Sequence, residues 1–237
     1  MSYVPSWGPG DIFERLLEAY GPQHWWPGDT PFEVIVGAIL TQNTSWHNVS
    51  IAVANLKDAG LLGLDALLGS SAEQIEEVIR PAGFYRIKTV RLLNLLRMVK
   101  ERGGLVGLCS LPTRDLRETL LAVKGVGPET ADSILLYAFG RPTFVVDSYT
   151  RRLMGRLGHA WATTAPYNDL QRWLADALGP ETSLYNEDHA LIVQHGKARC
   201  RAKPVCAGCP LQPACVWELG MTDPMANLVQ PSAQDDV

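Results

Sequence analysis

Apolar residues recur along most of the chain at the three- and four-residue spacing of amphipathic helices. A first short helix is predicted at 11–20, and two capping boxes, Thr30–Glu33 and Ser71–Gln74, predict further helix starts. The residues after the first box are apolar on nearly every side, which predicts a helix buried in a core. Alternation of apolar and polar residues is confined to the brief stretch 143–146, so the pattern predicts an all-α fold.

A leucine-rich stretch, 86–101, carries basic residues at intervals along a predicted helix. Charged side chains usually occupy the solvated face of such a helix, so we predict that these five point to solvent. They are Arg86, Lys88, Arg91, Arg97 and Lys100.

Between two predicted helices the chain carries a glycine-rich loop, Lys124–Pro128. Gly125 and Gly127 allow positive φ and close approach, so the backbone N–H groups around Val126 can point at one ligand. Pro128 suits the first position of the following helix. Exposed N–H groups at a helix start, beside a lysine, favour an anion such as a nucleic-acid phosphate.

Four of the five cysteines form one compact pattern, Cys200-x5-Cys206-x2-Cys209-x5-Cys215, and the fifth is Cys109. An odd number of cysteines in a chain without an export signal disfavours a disulfide framework and favours a metal site. Zinc sites more often combine two Cys-x2-Cys pairs, whereas a loop with one central pair suits a [4Fe–4S] cluster held by four thiolates. We predict the cluster, and zinc or free thiols are the alternatives.

Composition narrows the protein class. The 237 residues are 46% hydrophobic and 19% charged, which is typical of a globular protein. A net charge of −4 disfavours a protein that coats nucleic acid indiscriminately, although basic residues concentrate in the C-terminal part. No apolar run is long enough for a membrane span, and the N-terminal residues lack a signal-peptide pattern. We therefore expect no membrane association and a cytoplasmic location.

Together, the hairpin loop, the carboxylate of Asp147 and the cysteine loop resemble the endonuclease III type of DNA glycosylase. The likeness extends from about Thr30 to Cys215, although the family commonly has one residue more than the five in the first cysteine gap here. It implies two helical domains with a DNA groove and base pocket between them. These are a six-helix barrel with the helix-hairpin-helix at 30–141, and an iron–sulfur domain of 1–29 and 142–225, followed by a flexible tail at 226–237.

The resemblance also implies the partner and its contacts. We expect a monomer with a [4Fe–4S] cofactor that binds double-stranded DNA containing damaged bases, in association with the nucleoid in a prokaryote. In the family a glutamine at the place of Gln42 enters the duplex near the extruded base; without the family, Gln42 is a polar residue at a helix end. The DNA-contacting residues so implied are Gln42, Lys124, Gly125, Val126, Gly127 and Thr130.

Asp147 occupies the place of the family's catalytic carboxylate. Such a group can stabilise the oxocarbenium-like charge that develops on the sugar as the N-glycosidic bond breaks, and can orient the attacking water. The alternative is a helix N-cap without chemistry. The two interpretations are compatible, because capping favours the ionised form.

Family members that also cut the DNA strand have a lysine just after the glycine loop, which forms a Schiff base with the sugar. Here Glu129 occupies that place, and glutamate cannot form an imine. The sequence therefore predicts a monofunctional glycosylase that uses water as its nucleophile. Lys197 could substitute as a nucleophile, but we favour a structural or pocket-lining role for it.

The adjacent pair Trp25 and Trp26, with Glu129 and Lys197, most resembles the branch that removes alkylated purines such as 3-methyladenine. These four residues are the predicted base pocket, since an electron-poor base is attracted to aromatic faces; the tryptophans could equally anchor a loop. The alternatives are an endonuclease III homologue for oxidised pyrimidines and abasic sites, and a non-catalytic lesion-binding protein. An iron–sulfur electron carrier would need neither the hairpin loop nor Asp147.

Overall fold

The computed structural model describes residues 7–25 and 28–218. Within these residues the chain is helical and contains no strand, which confirms the predicted all-α fold. None of the described helices has the length and apolar content needed to cross a membrane. Trp26 and the predicted tail at 226–237 lie outside the described residues. The α-helices are α1 (Pro9–Tyr20), α2 (Pro31–Leu40), α3 (Trp46–Asp58), α4 (Leu64–Gly69), α5 (Ala72–Val78), α6 (Tyr85–Glu101), α7 (Gly104–Cys109), α8 (Thr113–Leu121), α9 (Pro128–Ser133), α10 (Ser148–Arg156), α11 (Tyr167–Leu178) and α12 (Thr182–Ala198).

The chain forms two compact units. The central unit is 25–145, and the terminal unit combines 1–24 with 146–237. The sequence-based domain boundaries at residues 30 and 141, and the assignment of a barrel and an iron–sulfur domain, stay predictions.

In the central unit, α2 is the core helix. The hydroxyl of Thr30 accepts a hydrogen bond from the backbone N–H of Glu33 at 3.2 Å, and Pro31 occupies the first helical position. Every residue from 33 to 40 except Ala38 is buried. The helix packs against α3, α6 and the π-helical turn Ile134–Ala138 that continues α9. Its predicted position in the core is confirmed, because a helix that is apolar all round has no face for solvent.

Helix α6 corrects the prediction of a fully solvated basic face. Three of its five basic side chains are exposed, but Lys88 is only 1% exposed. Its Nζ donates to the carbonyl of Leu40 at 2.8 Å and to that of Ala82 at 2.7 Å. Burial, with a smaller contribution from the charge of Arg91, lowers the pKa of Lys88 to about 8. The amine therefore caps the C-terminal ends of α2 and of the short 3-10 turn at 80–82 from within the core.

In the terminal unit, α10 and α12 pack closely together. A Cβ added to Gly196 on α12 would lie 2.2 Å from Cδ1 of Tyr149 on α10, so the aromatic ring requires a glycine there. One turn further along α10, Arg152 donates from Nε to the carbonyl of Cys200 at 2.8 Å. This packing places Asp147, at the start of α10, beside α12 and ties α10 to the cysteine loop that follows α12.

Candidate functional site

The glycine-rich loop joins α8 to α9, as predicted. Gly125 has a φ of 102°, and a Cβ there would lie 2.4 Å from Cγ of Arg91. Gly127 has a φ of −94°, which any residue adopts, and a Cβ on it would meet nothing within 4 Å. The positive φ that the sequence allows at both glycines is therefore used at Gly125 and not at Gly127.

The surface that this loop offers to a ligand is narrower than the sequence indicates. Val126 is buried, and its backbone N–H donates to the carbonyl of Val123 at 3.0 Å. Within the described residues, the backbone N–H groups of Gly125 and Gly127 make no hydrogen bond. Lys124 and Gly127 are exposed. Two amides and one ammonium group are therefore available to an anion such as a phosphate.

Gln42 follows α2 directly and faces the hairpin loop. Its Nε2 donates to the carbonyl of Gly125 and to Oγ1 of Thr130, each at 3.0 Å. Its Oε1 accepts from Nη1 of Arg91 at 2.6 Å. The side chain thus bridges the end of α2 to the loop. Sequence reasoning missed the role of Arg91, because no local pattern pairs it with a glutamine 49 positions away.

The predicted pocket residues have different surroundings. Trp25 is half-buried and lies edge-on to Trp46 and Tyr137, with ring centroids 6.2 and 5.3 Å away. Glu129, in the first turn of α9, and Lys197, in the last turn of α12, are exposed. The contacts of Trp25 anchor the segment before α2, and the joint base-pocket role of these residues stays a prediction.

Asp147 is the N-cap of α10. Its Oδ1 accepts from the backbone N–H of Thr150 at 2.8 Å and from the Thr150 hydroxyl at 2.9 Å. Its Oδ2 lies 3.6 Å from Nε2 of His189 on α12. Thr150 fixes one carboxylate oxygen, so the second oxygen is the one that can act on a substrate or a water molecule.

The surroundings of Asp147 favour its ionised form. Burial by itself raises the pKa of this carboxyl group. The contact with His189 at 3.6 Å, together with the hydrogen bonds from Thr150, outweighs burial and holds the pKa of Asp147 below its ordinary value. At neutral pH the group is therefore a carboxylate, which can stabilise positive charge but cannot act as an acid.

All four cysteines of the C-terminal loop line one cavity of the terminal unit, about 340 Å³ including its open mouth. The other lining side chains include Leu153, Leu157 and Leu211, so the four sulfur atoms share a largely apolar recess. In the described part of the chain, no group of three or more His, Cys, Asp or Glu is placed to hold a single metal ion. A four-iron cluster takes one thiolate for each iron, so its ligands stand around a larger body than one ion. The recess fits such a group.

Arg156 of α10 contacts the cysteine loop directly. Its Nη1 donates to Sγ of Cys200 at 3.3 Å and to the carbonyl of Arg201 at 2.7 Å. Its guanidinium also lies over the ring of Trp217, 4.7 Å from the centroid. A guanidinium can only donate, so this contact places a positively charged donor on the sulfur of Cys200.

Phe84 is a surface feature that the sequence analysis did not identify. Its side chain is 63% exposed, and its φ of 45° lies in the left-handed region that bulky residues avoid. It precedes α6 where a Ser, Thr or Asp cap is usual, and this unusual N-cap was the available sequence signal. Neighbouring Gly83 lies next to Thr44, in the same turn as Gln42. Backbone strain of this kind is concentrated at functional sites, and an exposed phenylalanine is among the apolar side chains that can wedge between DNA base steps.

Comparisons with known proteins agree with these features. A family model for HhH-GPD superfamily base excision DNA repair proteins matches residues 36–176. A Methanocaldococcus jannaschii protein provisionally named a DNA repair glycosylase is 45% identical over 208 residues, covering 86% of this chain and 94% of the relative. An H. pylori 3-methyladenine DNA glycosylase, solved with 1,N6-ethenoadenine, has a TM-score of 0.70 and 28% identity, over 81% of this chain and 98% of its own. A non-covalent endonuclease III–DNA complex has a TM-score of 0.77 and 22% identity, over 91% of this chain and 98% of that one, which concerns the fold alone.

Proposed function

The chain belongs to the HhH-GPD superfamily of base excision DNA repair proteins and is a DNA glycosylase, and we propose that it releases alkylated purines by hydrolysis without cutting the strand. The observation that carries this proposal is the pair of side chains at Glu129 and Asp147. Where strand-cutting relatives have an amine nucleophile, this chain has the exposed carboxylate of Glu129. At Asp147 it has a carboxylate held in the ionised state.

Asp147 carries the hydrolytic chemistry. As the bond between base and sugar lengthens, positive charge develops on the sugar, and a fixed negative charge nearby lowers the energy of that transition state. Thr150 holds Oδ1, and Oδ2 is left to orient a water molecule and accept its proton. The water oxygen bonds to the sugar carbon while the bonding electrons leave with the base. The carboxylate needs no reorientation, which is what an electrostatic catalyst requires.

Glu129 cannot supply the strand-cutting chemistry that family members perform with a lysine at its place. Cleavage of that kind needs a neutral amine that attacks the sugar carbon and forms an imine. Glu129 is instead an acidic residue in the first turn of α9, where negative charge stabilises the helix N-terminus. The product is then an intact strand with an abasic site.

The hairpin loop and its neighbours bind the DNA. The free amides of Gly125 and Gly127 and the ammonium of Lys124 bind a phosphate, which fixes the position of the strand without reading its sequence. Phe84 wedges into the base stack, and Gln42 enters the space left by the extruded base. The turns that carry Phe84 and Gln42 are adjacent in the central unit, because a Cβ on Gly83 would lie 4.0 Å from Oγ1 of Thr44.

The choice of alkylated purines rests on chemistry and on one relative. A base that carries an extra alkyl group is electron-poor, so aromatic faces such as that of Trp25 attract it, and its bond to the sugar is already weakened. The H. pylori structure at 28% identity contains a 3-methyladenine DNA glycosylase. A pocket with modest catalytic groups suffices for such a substrate.

The four cysteines hold a [4Fe–4S] cluster in this proposal. Their shared recess and the bond from Arg156 to Cys200 support this assignment. When bound, the cluster supplies a one-electron redox couple and a rigid centre for the loop. The protein residues around it fix the loop to α10, whose first residue follows Asp147.

The test is a panel of duplexes containing 3-methyladenine, 7-methylguanine, hypoxanthine, uracil or thymine glycol. Released base is measured by mass spectrometry, and strand cleavage is measured with and without alkali. We expect release from the alkylated duplexes, with strand cleavage after alkali only. Release of thymine glycol with cleavage before alkali would favour the oxidised-pyrimidine alternative. Binding without release from any duplex would favour a lesion-binding protein.

A further inference from the structure

A hydrogen-bonded chain runs from α1 through α12 to one of the cysteines. The Tyr20 hydroxyl lies 2.8 Å from Nδ1 of His195, and Nε2 of the same ring lies 3.8 Å from Sγ of Cys209. His195 is 1% exposed and also lines the cysteine recess. Tyr20 and His195 are 175 positions apart, so the contact exists through the packing of α1 on α12.

The direction of each hydrogen bond in this series follows from which groups can donate. The guanidinium of Arg199 lies beside the Tyr20 hydroxyl, and an arginine side chain can only donate. The single proton of the hydroxyl therefore points away from the positive charge of Arg199, toward Nδ1 of His195. Nδ1 of His195 accepts from this hydroxyl, so the ring hydrogen that faces the cysteine is carried by Nε2. Nε2 therefore donates to Cys209.

We infer that Tyr20 and His195 form a relay that sets the reduction potential of the cysteine-bound cluster, by fixing a hydrogen bond from the ring to Cys209. This rests on the proposed cluster. Reduction adds one electron, and a donor to the sulfur stabilises the added negative charge, so the bond raises the potential. Tyr20 is a positioning residue here, because it acts on the sulfur through the imidazole.

The experiment uses the full-length protein purified without oxygen, as wild type, Tyr20→Phe, His195→Leu and Tyr185→Phe. Tyr185→Phe is the matched control: it removes a buried hydroxyl on α12 that donates to the carbonyl of Ala175, away from the cysteines. Iron content and visible absorption measure the cluster. Protein-film voltammetry, in which the electrode supplies the electron, measures the potential, and electron paramagnetic resonance reports the reduced cluster.

We expect wild type to contain about four iron atoms per chain. Tyr20→Phe should keep its iron and shift to a more negative potential, His195→Leu should shift further in the same direction, and Tyr185→Phe should match wild type. If His195→Leu loses iron, its potential cannot be compared with that of wild type, and the potential of the conservative variant Tyr20→Phe tests the relay. A Tyr20→Phe protein with a full cluster and an unchanged potential would overturn the relay alone. Wild-type protein without iron would overturn the cluster assignment and the relay with it.

Discussion

Asp147 combines a helix cap with a proposed catalytic charge, and asparagine separates the two roles. In Asp147→Asn the remaining amide oxygen can still accept from the Thr150 N–H and hydroxyl, which now lie 2.8 and 2.9 Å from Oδ1. Asparagine is as good an N-cap as aspartate. The substitution removes the negative charge and little else.

The two roles have different magnitudes. Because the cap survives and only the attraction to His189 is lost, we expect the free energy of unfolding to change by less than about 1 kcal/mol. Loss of one preorganised electrostatic group lowers kcat by about 100- to 1,000-fold, equivalent to about 2.7–4 kcal/mol. Asp147→Ala removes the cap as well, so its stability should fall by roughly a further 1 kcal/mol with similar activity loss.

The assay is single-turnover base release from a duplex with 7-methylguanine, paired with urea unfolding of each variant. Ser71→Ala is the control, because Ser71 is the N-cap of α5 and receives a comparable hydrogen bond from the Gln74 N–H. It should lose about 1 kcal/mol of stability and keep wild-type activity. If Asp147→Asn released base at a rate within about threefold of wild type, Asp147 would be a cap without chemistry.

The pH dependence follows from the direction of the pKa shift. The pKa of Asp147 is lower in the folded protein than in the unfolded chain, where it is about 3.9. The carboxylate then contributes stability above that unfolded value and loses it as the pH falls through the lower folded value. Between pH 5 and 8 the group stays ionised. An acid limb of activity near pH 6 that disappears in Asp147→Asn would contradict this assignment.

Three further predictions concern the central unit. Wild type should give no borohydride-trapped adduct with DNA that contains an abasic site. Glu129→Lys should give one, because an amine then occupies the nucleophile position. Trapping by wild type would refute the monofunctional proposal. Gly125→Ala should lower the free energy of unfolding in urea by about 1–3 kcal/mol, because residue 125 has a positive φ and the new Cβ would clash with Arg91. Gly127→Ala should unfold like wild type but bind DNA roughly tenfold more weakly, as measured by fluorescence anisotropy. Lys88 has a pKa of about 8 in the folded protein and about 10.4 in the unfolded chain, so between these values the unfolded lysine binds more protons. The unfolding free energy of wild type, measured by urea unfolding, should therefore rise with pH relative to that of Lys88→Met.

Local signals in the sequence were sufficient for helix starts. The N-caps at Thr30, Ser71 and Asp147 each accept from a backbone N–H three positions further on, so these hydrogen bonds can be predicted without knowing the fold. The full box closes at Ser71, whereas at the first box only the N-cap half forms and the Glu33 carboxylate pairs with Lys57 at 2.9 Å. The burial of α2 was equally predictable, because its residues are apolar on all sides. The structure confirms these predictions. They could be made from the sequence because each depends on residues within one short segment.

Contacts between distant segments were not predictable. Lys88 resembles any surface lysine, and the carbonyl of Leu40 that it binds lies 48 positions away. Gly127 resembles Gly125, but only the packing of Arg91 against the loop shows which glycine needs its small size. Tyr20 contacts His195 only because α1 packs on α12. In each case the decisive group comes from another element of the fold.

The hydrogen bonds of Gln42 set a cost for the entry of its side chain into DNA. In this structure its side chain makes three bonds, to Gly125, Thr130 and Arg91, and the proposed entry into DNA exchanges all three. At about 1 kcal/mol net for each bond, the exchange costs about 3 kcal/mol before new contacts form. Extruding a base costs a few kcal/mol more, and least for a base that pairs weakly. A normal duplex must therefore meet both costs, whereas a weakly paired alkylated purine lowers the second. The Gln42 cost is the same for damaged and intact DNA, so it weakens binding to both, and the preference for a damaged base comes from its weaker pairing.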